Sequence, residues 1–328
     1  MREYQTLEEK RKFLQTKEIC SLSELKKFID CVSSNNNLVF RGVKEAKYMN
    51  YTSAQVKTGA ALDQATFTKL VDEAISCVKQ SPTIMSILRA RSRDETDFQI
   101  LSLMQHYGCG TPILDYSNSI NAALFFAIDR QEGDSQTVSE KDQGVEAFIS
   151  IYYFDKTDPN HCSVQEFTQR DSEKAKEYDA IASKEYGSQY KGFSQQTMES
   201  FLYLPYNELA KLDNGGLFSV LGYTDGIISY QLGGKKIEYS ITNERLIQQE
   251  GLFLFNGLSN IPYEEAAYNW YQGIQNYCVN IHKSLEKDIK AFLKKRGITH
   301  STIYPETEES KAIINELRLL PFDGRLKP

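Results

Sequence analysis

Three short stretches hold the residues whose types and spacing could do chemistry. The first is Phe40-Arg41-Gly42, which closes the apolar run begun by Leu38 and Val39. A guanidinium at a strand end presents a planar fork of donors matched to a phosphate or a carboxylate. The glycine beside it lets a ligand or another backbone come close. An arginine in this position also suits an internal ion pair that ties two elements together.

The second stretch is LMQHYGCGTPILDYSNSINAALFFAID, residues 103 to 129. A helix ending at His106-Tyr107-Gly108 is followed by a Gly/Pro turn, and a short apolar segment then delivers Asp115, Tyr116 and Ser117. Asn118 and Ser119 are placed to cap the next helix, whose exposed N–H groups and dipole favour an anion. Plain capping explains Asp115 and Ser117 as well, and a helix C-terminus explains His106. In the third stretch, ITNERLIQQEGLFLFNG (241 to 257), Asn243, Arg245, Gln248, Gln249 and Glu250 precede a strand that opens at Gly251. A carboxylate or amide there could orient a sugar hydroxyl or stabilise a developing cation, or simply belong to a polar loop before a core strand.

Other signatures are missing from the sequence. The four histidines (106, 161, 282 and 300) form no HxH or HExxH pair, so no metal site is expected. There is no GxSxG elbow, no GxxxxGK[ST] phosphate loop and no GxGxxG turn. The six cysteines are widely spaced without a CxxC pair, as expected of reduced structural thiols in the cytosol. No window approaches the roughly 20 apolar residues of a membrane span, and the N-terminus lacks an apolar signal core. The net charge of −6 disfavours generic nucleic-acid binding while leaving room for a local basic groove. With 41% hydrophobic and 25% charged residues, the composition is that of an ordinary globular protein.

The elements that must position the three stretches follow from periodicity. SLSELKKFIDCV has Leu25, Phe28, Ile29 and Val32 at helical spacing, leading into the Arg41 strand. A helical block spans about residues 60 to 108, with Phe67, Leu70, Val71, Ala74, Ile75 and Val78 on one face and a restart at Pro82. GVEAFISIYYF and GLFLFNG read as strands, and GIISYQLGGKKIEYSI as a hairpin turning at Gly233-Gly234. Residues 156 to 200 are polar and helix-prone, an expected insertion or lid. SLEKDIKAFLKKRGI and TEESKAIINELRLL supply two closing helices.

Taken in order, the clusters resemble the FRG domain family, named for a (Phe/Tyr)-Arg-Gly motif, here Phe40-Arg41-Gly42. The central signature is similar to MQHYGCGTPILDYSNSINAALFFA, a third element matches Arg245 and Gln249-Glu250-Gly251-Leu252-Phe253, and GITHSTIYPETEES is similar to the family's ending. The expected fold class is α+β: a single mixed domain with a central, mainly antiparallel sheet and a helical insertion, for which the resemblance implies an ADP-ribosyltransferase-like form. Residues 1–22 are expected to be an N-terminal helical extension and 23–328 the FRG-type domain.

A looser similarity to ADP-ribosyltransferases of the Arg-Ser-Glu kind implies NAD as substrate and no metal. It implies that Arg41, Asp115, Gln249 and Glu250 carry the chemistry. Arg41, Gly42, His106, Tyr107, Tyr116 and Ser117 would bind the dinucleotide, with a protein or nucleic-acid acceptor as partner and no membrane. The implied activity is ADP-ribosyl transfer or NAD glycohydrolysis, as in a bacterial toxin or antiphage effector. The alternatives are a non-catalytic nucleotide- or phosphate-binding module and a purely internal polar network. If the clusters form one site, Arg41, His106, Asp115 and Gln249 or Glu250 line a single cleft.

Overall fold

The elements arise from local signals that the chain carries in order. The computed structural model describes residues 1–91, 96–130, 138, 139, 141–155, 218–220, 227–232, 235–240, 244–270 and 276–318, with single helical residues at 180, 183, 184 and 206. The expected insertion or lid at 156 to 200 and the Gly233-Gly234 turn lie outside these residues, apart from 180, 183 and 184. In chain order come α1 (Leu7–Lys10), β1 (Gln15–Ile19), α2 (Leu22–Ser33), β2 (Leu38–Val43) and α3 (Ser53–Lys57). Next are α4 (Gln64–Gln80), α5 (Pro82–Arg91), α6 (Asp97–His106), β3 (Ile113–Ser117), α7 (Ile120–Ile128) and β4 (Phe148–Asp155). The strands β5 (Phe218–Val220), β6 (Ile227–Leu232) and β7 (Lys235–Ser240) precede α8 (Glu244–Gln248), β8 (Gly251–Phe255) and α9 (Tyr263–Trp270). Closing the described chain are β9 (Tyr277–His282), α10 (Glu286–Lys295), α11 (His300–Ile303) and α12 (Glu308–Leu317).

Seven strands form one sheet in the order β1-β9-β4-β2-β3-β8-β5, with β6 and β7 as a separate hairpin. Among the described strands of this sheet only the β1–β9 pair is parallel; the other neighbours are antiparallel, in line with the expected mainly antiparallel sheet. Residues 1–22 differ from the expected helical extension. After the single turn of α1, Gln15–Ile19 runs as a strand along Tyr277–Ile281. Its short polar pattern hides it from periodicity, and pairing with β9 stabilises a strand that propensity alone does not.

Helices cover both faces of the sheet. Phe40, Ile149, Ile151, Val279 and Ile281 pack under α2, α7 and α10, while Phe253 and Phe255 pack against the block α4 to α6. The opposite face, with Val39, Leu114, Tyr116, Phe154, Leu252 and Leu254, receives α9 through Tyr263, Ala266 and Ala267. α7 is apolar on nearly every side and buried along its length, as a helix enclosed within the core must be.

One irregularity sits at the centre. β2 pairs with β4 at six positions and β3 pairs with β8 at five, yet β2 and β3 meet at a single pair, Phe40 with Ser117. Beyond it the two strands splay, leaving unpaired edges in mid-sheet. Polar backbone groups exposed inside a sheet need partners, and the side chains around the split supply some of them.

Candidate functional site

Both strands at the split owe their position to short-range packing. Gly42 faces α7 so closely that a Cβ on it would lie 1.8 Å from the carbonyl oxygen of Ala123. Its small size therefore serves helix-on-strand contact, with backbone rather than ligand making the close approach. Arg41, next to it, emerges on the other face by strand alternation. Its Nε donates to Asn50 Oδ1 at 3.2 Å and its Nη1 to the Asp115 carbonyl at 2.8 Å, spanning the gap between β2 and β3. Among the described residues no carboxylate forms an ion pair with Arg41, so the internal salt bridge suggested by the sequence is not what holds it.

α6 begins in a capping box, Thr96 with Gln99, and ends where Gly108 takes φ 84°. Its last turn carries Gln105 and His106 to the split. Gln105 is held at both ends: its Oε1 accepts from Ser53 Oγ at 2.9 Å and from Thr111 Oγ1, while its Nε2 donates to Asp115 Oδ2 at 2.5 Å. Asp115 is thereby fixed in rotamer, with its other oxygen, Oδ1, buried and without a hydrogen-bond partner among the described residues. His106 packs edge-on against Phe253 at 5.1 Å, and its Nε2 likewise lacks a partner among the described residues. Burial, reinforced by Arg245 and opposed by Asp115, lowers its pKa to about 4, so the imidazole is neutral at pH 7.

α8 delivers the third stretch. Arg245 Nη1 donates to the His106 carbonyl at 2.7 Å, and its guanidinium lies 4.9 Å from the Tyr107 ring and 5.6 Å from the Tyr304 ring. Such stacking is worth about 0.5–2 kcal/mol. Gln249 is buried and its Nε2 donates to the Ile303 carbonyl at 3.0 Å, anchoring α11. Tyr304, which follows α11, donates its hydroxyl to Asp129 Oδ2 at 3.3 Å.

These groups line one cleft of about 540 Å³. Arg41, Gly42, His106, Tyr107, Asp115, Tyr116 and Gln249 of the expected site are all on it, together with Lys44, Tyr48, Gln105, Phe126, Asp129, Arg245 and Tyr304. Two expected residues are not part of its lining. Ser117 is buried behind it, donating to the Gln249 carbonyl at 2.6 Å and accepting from Ser119 N–H at 2.8 Å, so it ties β3 to the end of α8. Glu250 is exposed at φ 46°, its carbonyl accepting from Asn118 N–H at 2.9 Å. It turns the chain from α8 into β8 in a left-handed conformation that costs a residue with a Cβ about 1–2 kcal/mol. Tyr116 reaches the cleft from the core, its ring against Phe154 and Tyr263, and burial holds its hydroxyl protonated.

Arg245 is the main cleft residue outside the expected site; its fixed spacing to Gln249-Glu250-Gly251 is the signal the sequence carries for it. Phe126, Asp129 and Tyr304 lie in stretches quoted from the sequence without being singled out, and Lys44 carried no signal; packing between elements brings them to the cleft.

The mainly antiparallel mixed α/β sheet is split at its centre and lined there by two arginines, a fixed carboxylate and aromatic rings, and the cleft's volume of about 540 Å³ falls in the range of small-molecule sites. Residues 36–136, from just before β2 to just beyond α7, match the model of the FRG domain. Arg41, His106 and Asp115 lie within the match and Arg245 and Gln249 beyond it. Comparisons with curated proteins and with solved structures find no match. No helix among the described residues is long and apolar enough to cross a membrane.

Proposed function

We propose that the split-sheet cleft binds NAD and that the protein cleaves its nicotinamide–ribose bond, as an ADP-ribosyltransferase-like enzyme or NAD glycohydrolase. The observation that supports this most is the joint placement of Arg41, Arg245 and Asp115 on one cleft with aromatic walls, with Asp115 Oδ1 buried and unpartnered among the described residues. Two guanidiniums suit the diphosphate, and Tyr48, Tyr107, Phe126 and Tyr304 offer faces for the rings of the dinucleotide.

The chemistry asks little of a nucleophile. The C1′–N bond breaks with its electron pair moving to the nicotinamide nitrogen, whose positive charge it neutralises. Positive charge develops on the ribose, and a carboxylate held in place beforehand stabilises it without reorganisation. Asp115, fixed by Gln105, takes that role in preference to Glu250, which lies off the cleft. Water attacking C1′ and losing a proton gives hydrolysis; a nucleophilic side chain or base on an acceptor gives transfer. In a cell either reaction fits a toxin or antiphage effector.

The test is nicotinamide release from NAD by the purified protein, abolished by Arg41→Ala in a variant with unchanged circular dichroism. A second reading is favoured by the engaged amide of Gln249 and the outward position of Glu250: a nucleotide-binding module without turnover. Binding of NAD with no nicotinamide released selects it.

A further inference from the structure

Behind Arg41 lies a chain of buried polar groups that the cleavage chemistry does not use. Asn50, whose Oδ1 accepts from Arg41 Nε, is only 2% exposed and is fixed on two further sides. Its N–H donates to both oxygens of Glu264 at 3.1 Å, and its carbonyl accepts from Tyr263 N–H at 3.0 Å. Glu264 is fully buried and accepts from the Tyr4 hydroxyl at 2.9 Å. Burial raises its pKa, while hydrogen bonds and the buried Lys10 favour the ionised form. Tyr4 is in turn pinned beside the segment leading to Asn50, its N–H donating to the Lys47 carbonyl at 2.8 Å, and Arg2 pairs with Glu265.

Stability alone does not call for this arrangement. A buried carboxylate costs several kcal/mol to desolvate, and apolar residues of the same volume pack as well or better. What the polar chain adds is direction: it commits Nε of Arg41 to one side, which orients the planar fork and leaves no described partner on Nη2. We propose that Tyr4, Glu264 and Asn50 form a positioning relay that aims the Arg41 guanidinium into the cleft, a role that rests on reading Arg41 as the ligand's anion anchor. Tyr4 and Glu264 both lie outside the FRG match, so the N-terminal segment contributes to the site.

Two measurements test the relay. In a ¹⁵N-labelled protein the Arg41 Nε–Hε resonance is slow to exchange with solvent; Asn50→Ala removes that protection, Tyr4→Phe and Glu264→Gln weaken it, and Asn50→Asp, which keeps an acceptor oxygen, retains it. Tyr4→Phe deletes one hydroxyl and keeps the ring, so the relay is still read if the other variants do not fold. An Arg41 resonance that is unchanged in Asn50→Ala or, failing that variant, in Tyr4→Phe overturns the proposal. In parallel, Asn50→Ala weakens ADP-ribose binding about tenfold in the native background and not at all in Arg41→Ala, the coupling expected of residues acting as a unit. Equal losses in both backgrounds also overturn it. If the unmodified protein does not bind ADP-ribose, the NAD reading fails, and the resonance measurement still decides the relay.

Discussion

Arg41 and Asp115 meet through a side chain and a backbone: Nη1 of the arginine donates to the aspartate carbonyl at 2.8 Å across strands that share only one residue pair. The contact uses the arginine to close a gap in the sheet and leaves the aspartate carboxylate for other partners. Its Oδ2 is taken by Gln105, and its Oδ1 is buried without a hydrogen-bond partner among the described residues. The site is thus built where the sheet fails to pair.

Arg41 is expected to matter more for ligand than for fold. Arg41→Ala loses two hydrogen bonds of a partly exposed group, a stability cost of about 1–3 kcal/mol. Arg41→Lys keeps the charge but not the fork, and should weaken ADP-ribose binding about tenfold or more. Isothermal titration alongside urea unfolding separates the two effects; a lysine variant that binds as tightly as the native protein argues against a fork on phosphate.

Gly42 should be intolerant for a purely steric reason. Gly42→Ala places a methyl 1.8 Å from the Ala123 carbonyl oxygen, so β2 or α7 has to move, at a cost of about 3 kcal/mol or more. Gly144→Ala is the control, since nothing lies within 4 Å of its added Cβ and its φ of −68° suits any residue. Thermal melts of the two variants should differ by well over the few degrees that surface changes produce.

Under the proposed NAD cleavage two acids are candidates for the catalytic role, and their variants should part company. Asp115→Asn keeps the shape and removes the charge, and is expected to lower NAD cleavage by about a hundredfold or more. Glu250→Gly should retain activity and raise stability by up to about 1 kcal/mol by relieving the left-handed backbone. Activity lost in Glu250→Gly and kept in Asp115→Asn would reverse the assignment.

His106 makes stability depend on pH in a defined direction. Its folded pKa of about 4 lies below the ordinary histidine value of 6.5, so the unfolded chain binds the extra proton first as pH falls. The contribution is full above 6.5 and is lost on acidification through that value towards 4, reaching about 3 kcal/mol. Urea midpoints at pH 7 and pH 4.5 should therefore differ less in His106→Gln than in the native protein. Equal acid sensitivity in the two would show that His106 titrates normally.

The strongest local signals were legible without coordinates. Apolar spacing from Phe67 to Val78 indicated α4, the run Leu38-Val39-Phe40 indicated β2, and Asn118-Ser119 ahead of an apolar helix indicated α7, of which Ser119 is the N-cap. Motif order flagged Arg41, His106 and Asp115. What spacing did not carry was β1 and β9, because Gln15–Ile19 has no alternation and gains its strand conformation only by lying beside Tyr277–Ile281.

By itself the sequence determined the residue types that could hold an anion and the elements they sit on, since helix periodicity, caps and turn glycines act over a few residues. Tertiary structure alone decided three things. It turned Gly42 towards α7, put Arg245 and Tyr304 on the cleft, and left Ser117 and Glu250 off its lining. Each follows from packing between elements far apart in the chain, and a side chain's direction at such a junction depends on which strands pair and which splay.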